Sequence, residues 1–559
     1  MLILLLAVQM GCACANWRAV FVAPPALAAG AEPVPSFVAF VDGDCYARMS
    51  RVQRLAAYPW QTLHTHDFEN HPAGTRPHTT LPLDWLILML AGLLRLTGEK
   101  AAALDVAGAW VSPLLGVATM FFLWIWSRWE QLRFRWAMLG FLAVNPMLAH
   151  GFALGRPDHQ SLELFTLAVA LAAEISLWQQ PAPGWAFLAG AAWAIAIWTS
   201  LYEPLVLLAA VALANALFAP AKFWQGERLW GWALGSGILL LALALEGVRV
   251  DAPGTGENAA LFAAWSRQIG ELMSLAPWSP ALFHWASWLL PAAPCLLVWT
   301  WRRGAAISVE QRPGKLALAL ALWLLLVWAL TCWQVRWAYF LALVMALSLP
   351  WQFQALFGAV WIRLAATLAT VVWLLALLPM LGECRQRLDT LRHGSEANFA
   401  AARAAESLRE VAQFLRRENT ASPSAPRGIL APWWESPPLA YWSGLPAVGG
   451  SSHESLSGNA DVARFFLLPA REAAAAKMLL RARQVRWVVA DDPERVLPLA
   501  AELLQLSLSR LSQPTLGGLL ASDPLAAPPF LRLAFANPDL KVYAVAEAVF
   551  TDSSLPPPP

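Results

Sequence analysis

The sequence has little charge and little cysteine. Of its 559 residues only 14% are Asp, Glu, Lys or Arg, and the formal net charge is +2. That surplus is too small to argue for nucleic acid or a strongly acidic partner. The six cysteines are scattered, with Cys295 and Cys332 inside apolar runs and Cys12 and Cys14 spaced CxC. Neither a zinc-ligand spacing nor a disulfide framework follows from them. No P-loop or dinucleotide fingerprint is present, so no nucleotide-binding fold is expected. No repeat of fixed period appears, which weighs against transporters built from inverted repeats. The apolar N-terminus lacks the basic leading region of a secretory signal and reads as an uncleaved first membrane helix. A lipoprotein signal ending at Cys12 fits less well, because Gln9 and Met10 match such a cleavage site poorly.

What the chain has in abundance is apolar surface: 58% hydrophobic residues and 32 tryptophans, concentrated before residue 382. It reads as a polytopic integral membrane protein. Runs able to cross about 30 Å of hydrocarbon need roughly 20 residues. They are expected near residues 3–23, 105–126, 135–151, 160–178, 184–201, 203–219, 229–247, 279–301, 315–333, 335–351 and 354–381. The run at 81–94 is short, has Pro77 and Pro82 nearby and carries Asp84, so it is expected to lie at the interface or re-enter. With that choice the basic loops holding Arg128, Arg133, Arg135, Lys222, Arg228, Arg302, Arg303, Arg312 and Lys315 share one side, which is cytoplasmic by the positive-inside rule. The outer loops 24–104 and 248–277 and the C-terminal region then share the other. The expected organisation is a membrane domain over 1–382, a soluble mixed α/β domain over 383–550 outside the cytoplasm, and a disordered Pro-rich tail over 551–559. A helix is expected from Glu396, and "QVRWVVADD" reads as a buried strand entering a loop.

Four stretches on the outer side carry chemistry. "VDGDCYARMSRV" places Asp42, Asp44, Arg48 and Arg51 just after the first apolar segment. A DxD spacing can hold a hard divalent ion that neutralises phosphate, and it can also be a solvated turn with Asp–Arg pairs. "LGRPDHQSLELF" opens the fourth span with Asp158 and His159. Helix capping would account for Asp158 but not for His159 or Glu163 on the following turn. "WSRQIGELMSLAPW" offers Glu271, with Arg267 one turn earlier as a surface pair in the bland reading. Glu203, in a tight outer turn, reads as structural. "APWWESPPLAYWSGLPAVGGSSHES" supplies Trp433, Trp434 and Glu435, either an aromatic wall that grips a peptide or sugar or a piece of core.

In this order the motifs resemble the catalytic subunit of oligosaccharyltransferase, a membrane glycosyltransferase of the GT-C class, over nearly the whole chain. The elements are an acidic motif after the first helix, "GRPDH", "QIGE" in a long outer loop, the arginine of "QVRWAYFLAL" and "PWWESPPLAYWSG". "NHPAGTRPHTTLPLD" is similar to the family's first-loop segment. The sequence is identified as a divergent, bacterial-type member. Gln160 stands where some members have another acid, and Glu435, Ser436 and Pro437 replace the Asp, Tyr and Gly of the family's WWDYG motif.

The resemblance implies a GT-C-like membrane domain of about 11 to 13 spans, a soluble α/β domain, and a divalent ion, Mn or Mg, held by Asp44, Asp158 and Glu271. It implies that Asp44 polarises the acceptor, that Arg336, His159 and Arg48 meet donor phosphate, and that Trp433, Trp434 and Glu435 meet the acceptor. The implied reaction moves a glycan from a polyprenyl-(di)phosphate-linked donor to protein Asn on the non-cytoplasmic face of a bacterial inner membrane. The implied partners are that donor, the acceptor and membrane lipid, with no nucleic acid. A lipid, polysaccharide or protein-hydroxyl acceptor remains open, as does a transporter or flippase whose acids lie on an ion path.

Overall fold

A computed structural model describes residues 1–23, 36–58, 62–98, 102–223, 226–248, 259–304, 314–357, 362–421, 428–511 and 513–551. Residues 552–559 of the expected tail, parts of both expected outer loops (24–35 and 249–258) and Arg312 lie outside these residues. The chain divides into two compact units. The first comprises Met1–Arg18, Thr79–Gly247 and Gly270–Ser395; the second comprises Ala19–His78, Val248–Ile269 and Glu396–Pro559.

The first unit is helical. Among the described residues, six helices are long and apolar enough to cross a membrane: Ala103–Trp129, His159–Gln179, Gly226–Glu246, Gly314–Trp333, Val335–Phe357 and Thr367–His393. Shorter apolar helices run Leu2–Ala13, Arg135–Val144, Pro183–Thr199 and Tyr202–Phe218. The protein is an integral membrane protein on this composition. The two most enclosed helices are His159–Gln179 and Val335–Phe357, with 94% and 89% of their apolar windows buried. His159–Gln179 packs on Ala103–Trp129 and Pro183–Thr199, and Val335–Phe357 packs on Arg135–Val144, Ala293–Gly304 and Gly314–Trp333.

Three expected spans are interrupted. The first helix stops at Ala13, and Phe21–Val22 forms strand β1, which pairs antiparallel with β2, Phe37–Val38. Asn16 helps end the helix by donating its amide to the Leu154 carbonyl at 2.7 Å. The run 135–151 breaks at Asn145, whose side chain accepts from the Leu148 amide at 3.1 Å and caps a second helix, Pro146–Gly151. The run 279–301 breaks at Ser287, which has φ +80°, between Pro280–Ala286 and Ala293–Gly304.

The segment around 81–94 forms one helix, Leu81–Leu96, with Asp84 fully buried. Its first amide donates to Glu246 Oε1 at 2.7 Å, so a carboxylate sits at the positive end of the helix dipole. Helices Pro183–Thr199 and Gly226–Glu246 approach backbone to backbone. A Cβ on Gly190 would meet the Gly231 carbonyl oxygen at 2.0 Å, so only glycine fits that contact. Arg228, expected in a cytoplasmic loop, is instead buried inside its helix and paired with Glu174 at 2.7 Å. Pairing is what makes two such charges tolerable among apolar helices.

The second unit carries a four-stranded sheet in the order β3–β4–β6–β5, with β3 Gly428–Leu430, β4 Val485–Ala490, β5 Leu531–Ala536 and β6 Lys541–Val545. β3 and β4 are parallel and the other pairs antiparallel. The expected strand is β4, at the interior of the sheet. Its Trp487 and Val489 enter one core with Val542 and Ala544, while Val488 and Ala490 enter the opposite core with Tyr543 and Val545. This period of two buries the sheet on both faces. The helix Glu396–Ala421 covers the first face through Val411, Ala412 and Leu415.

Candidate active site

In the first unit the chain reverses at Gly155, whose φ of +73° suits glycine, and its amide is held by the Ala109 carbonyl at 2.9 Å. Arg156, Pro157 and Asp158 follow, and the helix His159–Gln179 begins. Asp158 occupies the N-cap position, yet its side chain makes no capping bond. It turns instead to His159 Nδ1 at 2.6 Å and to the Arg156 guanidinium at 3.4 Å. The capping explanation for Asp158 therefore fails.

Arg156 is the hub, although sequence reasoning gave it no role. Its guanidinium also donates to Glu271 Oε1 at 3.3 Å, to the Tyr339 hydroxyl oxygen at 3.1 Å and to His150 Nδ1 at 2.7 Å. The Tyr339 hydroxyl lies 2.6 Å from His150 Nδ1 and 3.3 Å from Glu271 Oε1. Glu271 sits on the short turn Gly270–Leu272. The chain just beyond it is pinned by the Met273 carbonyl accepting from the Val335 amide at 2.9 Å. Gln160 donates to Glu271 Oε2 at 3.1 Å, and its own Oε1 is buried with no hydrogen-bond partner among the described residues.

Arg336, on the turn Val335–Trp337, pairs with Glu203, which also accepts from the Ser200 hydroxyl at 2.7 Å. Glu203 thus positions Arg336, in keeping with its structural reading. Glu163 is fully enclosed in the helix behind Asp158, with Oε1 lacking a hydrogen-bond partner.

Among these groups are oxygen donors of the kind a hard divalent cation takes, with the Arg156 guanidinium now bridging the two carboxylates. Asp158, Glu271 and the unpartnered Gln160 Oε1 are all oxygen donors, the set that such ions select. Two neighbouring carboxylates repel each other, and positive charge between them is stabilising. The signal for Arg156 was present in the sequence as a lone arginine beside Asp158 in an apolar chain.

In the second unit the DxD motif divides into two roles. Asp42 caps the helix Gly43–Ala57, accepting from the Cys45 amide at 2.9 Å, while Asp44 lies exposed in the first turn. Arg48 and Arg51 point inward on that helix, 2% and 0% exposed. Trp433 belongs to a sheet-face core, while Trp434 is half-buried, its ring 4.9 Å from that of Trp433 and stacked under the Arg495 guanidinium at 4.7 Å. Glu435 is buried, and burial, then the neighbouring Asp491 carboxylate, pushes its carboxyl well above the ordinary range.

The fold is that of the GT-C glycosyltransferases, a multi-helix membrane region with a mixed α/β region. The oligosaccharyltransferase of Archaeoglobus fulgidus, in complex with Zn and sulfate, matches with a TM-score of 0.59 and 15% identity over 89% of this chain and 70% of that chain. Archaeal oligosaccharyltransferase AglB from the same organism, in complex with an inhibitory peptide and a dolichol-phosphate, gives 0.52 and 14% over 89% and 72%. Arabinofuranosyltransferase AftD from Mycobacteria gives 0.53 and 14% over 98% of this chain and 40% of that chain. No protein-family model and no curated protein matches the sequence. At such identities the likeness is one of fold.

Proposed function

We propose that the protein is a glycosyltransferase that moves a glycan from a polyprenyl-(di)phosphate-linked donor to an acceptor outside the cytoplasm, with protein Asn as the leading acceptor. The observation that carries this reading is the gathering of Asp158, Glu271 and the unpartnered Gln160 Oε1 around Arg156 in a GT-C fold. A donor on a lipid must be met at the membrane surface, and its departing phosphate needs positive charge there. Manganese or magnesium, when bound, supplies that charge as a Lewis acid. Asp158 and Glu271 are its ligands in this reading, with Gln160 in reach of Glu271. Arg156 holds the two carboxylates apart and in register, while His159 fixes Asp158. Arg336 and Arg48 keep the phosphate roles and Asp44 the acceptor role that the sequence resemblance gives them. In this reading the chain lies in a bacterial inner membrane with its N-terminus cytoplasmic, as the loop charges suggest.

Glu435 favours a second reading. A buried carboxyl whose proton is held more tightly than usual donates a hydrogen bond more readily than an ordinary Asp at the same motif position. A GT-C enzyme with a lipid, polysaccharide or hydroxyl acceptor is then the alternative.

The test uses purified full-length protein, a pool of lipid-linked glycans, manganese and a fluorescent Asn-x-Thr peptide, with Asp158→Ala and Asp44→Ala as controls. A metal-dependent gain in peptide mass, lost in both variants, supports transfer to Asn. Donor consumption without peptide modification moves the reading to another acceptor. Neither effect, with all three proteins folded, overturns the glycosyltransferase.

A further inference from the structure

Within the second unit, His78, His453 and Glu454 each present one ligand atom, and these atoms all lie within 4.8 Å of one another. None of the three takes part in the reading above. His78 lies in the first outer loop, at the end of the stretch Ala19–His78, and His453 and Glu454 lie on a single 3₁₀ turn, His453–Ser455. The Glu454 carboxylate stands between the imidazoles, with Oε1 2.8 Å from His78 Nδ1 and Oε2 3.7 Å from His453 Nδ1. The two rings are near parallel, at 28°, with centroids 5.5 Å apart.

We propose that His78, His453 and Glu454 form a binding site for a divalent transition-metal ion of the zinc class. Three arguments carry it. The ligand set, two imidazoles and one carboxylate, is one that zinc takes while leaving a fourth position open. The spacing also fits. Bonds of about 2.0–2.1 Å in tetrahedral geometry place ligand atoms roughly 3.3 Å apart, and one ligand atom from each of the three residues lies within 4.8 Å of the others. The third argument is Glu454 itself. Its side chain is only 6% exposed, and buried Oε2 makes no close hydrogen bond, with the His453 ring nitrogen standing off at 3.7 Å. A buried carboxylate oxygen left in that state is costly unless a cation meets it.

The same carboxylate rules against an anion. A phosphate between the two imidazoles would lie against Glu454 and be repelled. The frame is built in advance of any ion. Gly450 donates its amide to Asn459 Oδ1 at 2.9 Å and accepts from Asn459 Nδ2 at 3.0 Å, which fixes the loop before His453. The His78 amide donates to Glu454 Oε1 at 2.9 Å, which fixes the carboxylate. Bound metal would fasten the first outer loop to the loop after the WWE motif, two segments more than 370 residues apart that meet through His78 and Glu454.

The experiment is zinc binding by the full chain in detergent, stripped with chelator and titrated calorimetrically, with K-edge X-ray absorption of the loaded protein. One zinc with two imidazoles in its shell is expected, in addition to any ion taken by Asp158 and Glu271. Affinity should fall by more than about 100-fold in His453→Ala and Glu454→Gln, beyond the loss given by removal of an outer partner. It should be unchanged in Asp158→Ala, so failure of the catalytic reading would leave this result intact. Loss in Asp158→Ala alone, or unaltered affinity in His453→Ala and Glu454→Gln, overturns the proposal. If those variants do not fold, an absorption spectrum of the wild-type protein without imidazole scattering overturns it equally.

Discussion

Arg156 donates to Glu271 at 3.3 Å across 115 residues of sequence. It is nearly buried, at 6% exposure, and Glu271 is the second carboxylate it holds after Asp158. A guanidinium in such a place is stable only because both acids meet it, and they are stable beside each other because of it.

Replacing it should therefore harm both site and fold. Arg156→Ala is expected to lose about 3 kcal/mol of stability, the scale for removing one partner of a buried ion pair. It should also lower donor turnover by roughly 100-fold, as removal of a positioned charge at such sites does. Arg156→Lys should keep most of the stability but not the turnover, because an ammonium cannot reproduce the fork. Thermal melts and donor-consumption rates on the same preparations check this. Wild-type turnover in Arg156→Lys would remove the positioning role.

Asp158, Glu271 and Arg336 stood out in the sequence because ionisable residues are rare in this chain and these share one expected side of the membrane. Arg156 was quoted there without a role. Its meaning depends on Tyr339 and His150, which lie 189 residues apart and meet only in the folded helices. Local pattern cannot show such a meeting. The broken spans have a similar origin: Asn145 and Ser287 sit in runs whose average hydropathy hides one residue's backbone preference. Arg228 was misplaced because its partner, Glu174, lies on another helix. The aromatic motif was left open between core and binding wall, and the fold gives Trp433 to the core and leaves Trp434 half-buried.

Gln160 provides a test of the metal proposal by charge. Its Oε1 is a neutral donor without a partner, and replacing it by a carboxylate adds a negative ligand. Ion affinity rises with ligand charge in oxygen sites. Gln160→Asp is expected to lower the manganese concentration for half-maximal donor turnover by about tenfold, and Gln160→Ala to raise it. A metal response identical in all three proteins would place the cation elsewhere.

Glu435 should leave a signature in stability against pH. Its carboxyl is raised in the folded state by burial and then by Asp491, so the folded chain holds a proton that the unfolded chain releases near pH 4.3. Stability from this group is therefore present below that pH and lost as pH rises toward the folded value. Glu435→Gln removes the titration. The melting temperature of the variant minus that of the wild type should increase from pH 5 to pH 8. A difference that is flat or falls would mean that Glu435 is ionised in the fold.

Trp433 and Trp434 are neighbours in sequence and should behave differently. Trp433 is 8% exposed within the core that includes Val488 and Tyr543, and truncation there leaves a cavity. Trp433→Ala is expected to cost about 3–5 kcal/mol. Trp434 is half-buried beneath Arg495, so its partly exposed ring can contribute aromatic surface to an acceptor. Trp434→Ala should melt within a few degrees of the wild type and bind the acceptor peptide roughly tenfold more weakly, the effect of about 1.4 kcal/mol. Fluorescence anisotropy of the peptide, with melts as control, separates the two. Equal loss of stability in both variants would return the whole motif to the core and send the search for the acceptor surface elsewhere on the second unit.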